Sequence, residues 1–198
     1  TDRRMNEMKE RPRPTAVDLA ASPDPQELID ALQRDDLDVR RTSERRLAEL
    51  GAAAIPPLIE ALRRERNREV LWYLARALAR IGEPAVKPLM DVLSAERDVT
   101  VRRYAAASLA TIGRVAVPPL VGALTSPDRE VRRFASTALI TMGEPAVEPI
   151  IEMIKESDPE VQRILELILM RIDDAGQRAL ESLYSMDFSR RQEERRGG

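Results

Sequence analysis

The sequence contains no cysteine and no histidine. The first absence removes disulfides, thiol nucleophiles and thiolate metal ligands together. The second removes the commonest general base and the commonest protein metal ligand. Carboxylate-only calcium or magnesium sites stay open on those grounds, but there is no Asp-x-Asp-x-Asp-Gly loop. Ser108, Ser136 and Ser182 have no histidine to activate them and lie in no glycine-rich elbow. A phosphate loop of the Gly-Lys-Ser/Thr kind is also missing. The paired carboxylates Asp173-Asp174 fall at a helix–helix turn, where capping is the simpler role. The expectation is a chain that is not an enzyme and carries no cofactor or metal.

Aromatic residues are scarce, at 3%, while hydrophobic residues make up 43% and are mostly Ala, Leu, Ile and Val. That mixture suits thin layers of helices better than a thick globular core. No apolar run approaches the roughly 18 residues of a membrane span, and no signal-peptide pattern is visible. A cytoplasmic protein with no membrane partner is expected. The formal net charge of −2 gives no bulk attraction to nucleic acid, although local charge is a separate matter.

What the sequence does have is a repeat. A leading valine returns as Val39, Val70, Val101, Val131 and Val161, a spacing of 30 or 31 residues. A closing glycine returns as Gly51, Gly82, Gly113 and Gly143, with Asp173 in the last copy. After the glycine comes a second apolar pattern: Leu58 and Leu62, Leu89 and Leu93, Leu120 and Leu124, Ile150 and Ile154, then Leu180 and Tyr184. The last member of each pair lies 23 residues after its valine in every copy, so the helix hairpin is the rigid unit and length varies only in the connector. A period in this range signals a solenoid of stacked helical units.

The punctuation has physical reasons. Three residues before each valine stand Asp36, Asn67, Asp98, Asp128 and Asp158, side chains that accept from the free N–H groups of a first helical turn. The closing glycines fit the left-handed position after a helix. Asp173 and Gln177 give the last copy a polar finish, as terminal repeats require. Residues 1–21 read as a flexible N-terminal arm with a possible short helix over Thr15–Ala21, residues 22–184 as the repeats, and 185–198 as a flexible charged tail.

The combination Asp98…Val101-Arg102…Ala105…Leu109…Ile112-Gly113…Val117-Pro118-Pro119-Leu120…Leu124 resembles the HEAT-like repeats of the phycobilin-lyase type. Asp128…Val131-Arg132…Gly143-Glu144-Pro145-Ala146-Val147…Pro149-Ile150 repeats the resemblance. It implies an all-α, right-handed α-solenoid of about five helical hairpins plus a terminal half-repeat. It also implies a ladder in which the arginine after the valine meets the cap aspartate of a neighbouring layer. Arg40, Arg102 and Arg132 fit that ladder, whereas Leu71 and Gln162 interrupt it.

With the valine as position 0 and about 100° per residue, positions 4, 7, 8 and 11 share its face and form the core stripe. Arg46 intrudes on the stripe of its copy, so a looser or more exposed layer is expected there. The resemblance implies that positions 2, 3, 6 and 10 line the exposed inner surface. Arginines and aromatics gather in those columns, and they give the candidate partner-binding set Arg41, Arg45, Trp72, Tyr73, Arg76, Arg80, Arg103, Tyr104, Arg133, Phe134 and Arg163. The position 3 aromatics have an equally plain alternative as packing between layers. Acids crowd the second helices instead, as Glu27, Asp30, Glu60, Asp91, Glu148 and Glu152.

Arginine with tryptophan and tyrosine is the composition of interface hot spots. The expected function is therefore a non-catalytic scaffold or adaptor that holds another protein by an acidic or extended segment. Nucleic acid, tracked by arginines and stacked on aromatics, is the alternative partner. Against it, none of these columns holds a lysine. A further alternative, implied by the resemblance alone, is a bilin-lyase-like or chaperone-like groove for a tetrapyrrole.

Overall fold

The computed structural model describes residues 13–196, with side chains through residue 185. The stretch 1–12, expected to belong to a flexible arm, lies outside the described residues. Every regular element among the described residues is helical. The chain divides into two compact units, Thr1–Ala77 and Leu78–Gly198.

The first unit begins with α1 (Ala16–Ala21), α2 (Pro25–Ala31), α3 (Leu37–Glu49) and α4 (Ile55–Arg64), and includes most of α5 (Arg68–Ile81). α1 and α2 both pack on α3. Leu19, Leu28, Leu32, Leu47, Leu58 and Leu62 are fully enclosed and form its core. Thr15 caps α1 in a reciprocal pair with Asp18: the Asp18 amide donates to its hydroxyl, and its own amide donates back to the Asp18 carboxylate at 2.8 Å. Arg46 leaves its layer more exposed: its side chain is 25% exposed, whereas Ala77, Ser108, Ala138 and Ile168 at the same position are buried. Its Nε donates at 2.9 Å to the carbonyl of Ser22, the residue that closes α1.

The second unit contains α6 (Val86–Ala95), α7 (Val99–Ile112), α8 (Val117–Ala123), α9 (Arg129–Met142), α10 (Glu144–Ile154), α11 (Pro159–Ile172) and α12 (Asp174–Arg196). The long first helices pack side by side, α7 on α9 and α9 on α11, while α8, α10 and α12 cover one flank. Val101, Ala105, Ser108 and Leu109 are buried as their spacing requires.

The caps sit where the sequence places them. Asp98 accepts from the Thr100 amide at 2.7 Å, Asp128 from Glu130 at 2.8 Å, and Asp158 from Glu160 and Val161, both at 3.0 Å. The glycines differ from expectation. Gly113 has φ 88° and ψ −145°, an extended conformation of positive φ rather than a left-handed helical one. That region is essentially closed to residues with a Cβ. It turns the chain directly into a single 3-10 turn, Arg114–Ala116, ahead of α8.

Three further expectations change. Tyr184, placed by spacing in the core column, is half exposed, and its hydroxyl donates to Glu166 instead. The backbone of α12 is helical through Arg196, across most of the stretch expected to be a flexible tail. Its Arg, Glu and Gln residues are good helix formers with opposite charges at helical spacing, a signal that apolar content alone does not register. Arg132, placed in the ladder by sequence, takes only carbonyl partners among the described residues, and so does Gln162, which was expected to interrupt it. The Gln162 amide donates to the Ile154 and Ser157 carbonyls at 2.9 and 3.0 Å, as Arg132 donates to Ser126 and Pro127.

Candidate functional site

Positions 2, 6 and 10 of the five first helices are exposed in every copy. Of these fifteen residues eight are arginine, and only Glu49 is acidic. The acids named above on the second helices are also exposed. At the surface the charge of these three columns is therefore almost wholly basic.

Position 3 behaves differently. Tyr73 and Phe134 are each only 4% exposed, and Tyr104 is half-buried. The physical reason lies in the geometry of a stack. Position 3 stands about 60° from the leading valine on a helix of 3.6 residues per turn, and a helix with neighbours on three sides buries a wider arc than a single stripe. Tyr73 and Phe134 thus support the surface from below rather than offering their rings to a ligand.

In the first unit the face centres on Trp72, which is 48% exposed. Its ring stands edge-on to Tyr73, with centroids 4.9 Å apart and planes at 79°. The Arg76 guanidinium lies 4.8 Å from the Trp72 ring centroid, a cation–π distance. The same guanidinium reaches the Glu44 carboxylate, Nε to Oε1 3.6 Å, and that side chain is only 2% exposed. Sequence reasoning missed Glu44. It sits at position 5, outside the narrow stripe, yet position 5 is also buried at Ala75 and Ala106. Arg41 and Arg45 stand exposed on α3, and Arg45 lies 4.0 Å from Glu49.

In the second unit Arg80, Arg103, Arg133 and Arg163 are exposed. Arg133 lies over the buried Phe134 ring at 4.2 Å and pairs with Glu130 at 2.6 Å. That hydrogen bond from Arg133 holds the Glu130 carboxyl below the usual carboxylate range. Arg103 donates to the Thr100 hydroxyl at 3.4 Å. On α11 two exposed apolar residues, Leu167 at 60% and Met170 at 55%, lie between Arg163 and Arg171. The sequence carried that signal as a leucine in a column of arginine and small residues. Among the described residues there is no cluster of three or more metal-ligating side chains, and no helix is long and apolar enough to cross a membrane.

The chain belongs to the HEAT-repeat family: the profile of HEAT repeats matches residues 25–110, 86–170 and 117–191. No curated protein matches it in sequence. Among solved structures it is similar to the complex of CpcE and CpcF of phycocyanin lyase from Nostoc sp. PCC7120, at 21% identity over 73% of this chain and 96% of that one, with a TM-score of 0.39. An engineered protein matches at 24% identity over 87% and 85%, TM-score 0.34. A designed armadillo repeat protein matches at 19% over 80% and 98%, TM-score 0.31. Likenesses this distant carry no argument about function or partner.

Proposed function

We propose that the chain is a non-catalytic scaffold that holds acidic segments of a partner protein on the exposed columns of the first helices within each unit. The observation that carries this is the fifteen-residue set at positions 2, 6 and 10, all exposed, with eight arginines against one acid in a chain of net charge −2. Guanidinium groups bind carboxylates in bidentate fashion. Trp72 supplies an aromatic anchor whose orientation is fixed by Tyr73 and Arg76, and rigid aromatic anchors beside arginines dominate binding energy at interfaces. Stacked helical repeats suit the role because stacking extends a surface one layer at a time.

The test is a pull-down from native lysate with the wild type beside Trp72→Ala/Arg103→Ala, read by mass spectrometry, with a nuclease-treated arm. A protein captured by the wild type and lost by a folded double mutant is the expected result. Equal capture by both overturns the site. Capture that vanishes with nuclease overturns the partner class in favour of nucleic acid.

A further inference from the structure

We propose that the segment held by the second unit is a polyproline-II stretch carrying an acidic side chain at every third residue. This rests on the protein-binding reading above and specifies its ligand. Arg103, Arg133 and Arg163 occupy the same position on α7, α9 and α11, two residues after the leading valine, and all three are exposed. The three helices pack in that order within one unit, and packed helices lie about 8–10 Å apart. Position 2 of the three helices therefore recurs at about that pitch.

A polyproline-II chain has three residues per turn and rises about 3.1 Å per residue, so it returns a side chain to the same face about every 9 Å. A β-strand returns one about every 7 Å and falls out of step after one layer. Two turns of an α-helix span about 11 Å and overrun the row. Only the polyproline-II repeat presents one carboxylate to each successive arginine.

The row is available for this. Arg163 has no partner among the described residues. Arg133 is paired with Glu130, but both are on the surface, with side chains 52% and 39% exposed, and such pairs contribute little. A ligand carboxylate can replace Glu130 while Phe134 keeps the guanidinium in place from below. At the end of the row Leu167 and Met170 offer an apolar seat, which fits a segment whose acidic repeat ends in a hydrophobic residue.

The test uses the full chain and three fluorescein-labelled peptides read by anisotropy: (Glu-Pro-Pro)4, an isomer with its four glutamates contiguous, and (Lys-Pro-Pro)4. The expected order is (Glu-Pro-Pro)4 about tenfold tighter than its isomer, with no binding of the lysine peptide. Arg163→Gln, or Arg103→Gln should the first fail to fold, is expected to weaken (Glu-Pro-Pro)4 by about tenfold with an unchanged melting curve. Lys87→Gln on α6 leaves it unaltered. Equal affinity for the two acidic peptides overturns the register while the pull-down result stands. Absence of binding to either acidic peptide overturns the ligand class, as does tighter binding of a twelve-residue oligothymidylate than of (Glu-Pro-Pro)4.

Discussion

The Nη2 of Arg102 lies 2.7 Å from the Oδ2 of Asp128, the residue that caps the first helix of the following repeat. One carboxylate thus closes a helix with one oxygen and joins two layers with the other. The arginine is buried to 7% exposure, and its Nε donates to the Glu96 carbonyl beyond the C-terminal end of α6. Arg40 makes the same kind of link in the first unit, but to Glu69 at 2.6 Å, because Asn67 caps that helix without a charge.

This link makes stability depend on acid. The Arg102 side chain, with the Glu130 amide, holds the Asp128 carboxyl below its ordinary value. A carboxyl whose folded value lies below the unfolded one, about 3.9 for aspartate, contributes stability that is present above the unfolded value. That contribution is lost as pH falls through the folded value. Denaturation midpoints are expected to drop below about pH 4, and less steeply in Asp128→Asn. Identical slopes in the two proteins would contradict the link.

Gly176 and Gly122 should respond in opposite directions to alanine. A Cβ on Gly176 would stand 2.1 Å from the Leu169 carbonyl oxygen, so α12 must move away from α11. Gly176→Ala is expected to cost about 1–3 kcal/mol by overpacking. Gly122 lies within α8 with nothing inside 4 Å of an added Cβ. Gly122→Ala is expected to stabilise by about 0.5–1 kcal/mol. Thermal melts of the two variants settle both signs.

The Ser43 hydroxyl is fully buried on α3 and has no hydrogen-bond partner among the described residues. Burying an unsatisfied hydroxyl costs free energy that alanine avoids, and alanine is the better helix former. Ser43→Ala should raise stability by about 1 kcal/mol in urea denaturation. A loss of stability would show that the hydroxyl has a partner.

Arg76 and Arg41 look alike in sequence and should differ on truncation. Arg76 faces the buried Glu44 carboxylate and the Trp72 ring. Arg76→Ala is expected to destabilise by about 1–3 kcal/mol through the weakened surroundings of a buried charged acceptor. Arg41→Ala, at an exposed position, should stay within about 0.5 kcal/mol. For this reason Trp72 and Arg103, not Arg76, are the informative sites for testing partner binding.

Much of the architecture was legible because a short-period repeat writes the same local physics several times. Asp98 and Asp128 cap because a carboxylate satisfies free amides wherever a helix starts, and Gly113 ends α7 because only glycine enters that backbone region without strain. Leu109 and its equivalents are buried because helical spacing puts them opposite the second helices. These are properties of ten or fifteen consecutive residues, and the sequence by itself determines them. The exposure of the arginine columns follows in the same way, since positions 2, 6 and 10 lie far around the helix from the core stripe.

The tertiary structure alone decided how wide the buried arc is. Tyr73 and Phe134 fell inside it, and Glu44 was enclosed although it carries charge, because each first helix is flanked by neighbours that its own periodicity does not reveal. Partner choice in the ladder was likewise a matter of reach between layers, since Arg40 meets Glu69 while Arg102 meets Asp128. Tyr184 left its core column, with its hydroxyl on the Glu166 carboxylate. For Glu44 and for the Arg40 and Arg102 links the deciding contact lies about one repeat length away along the chain, and a helical period of 3.6 residues holds no information about it.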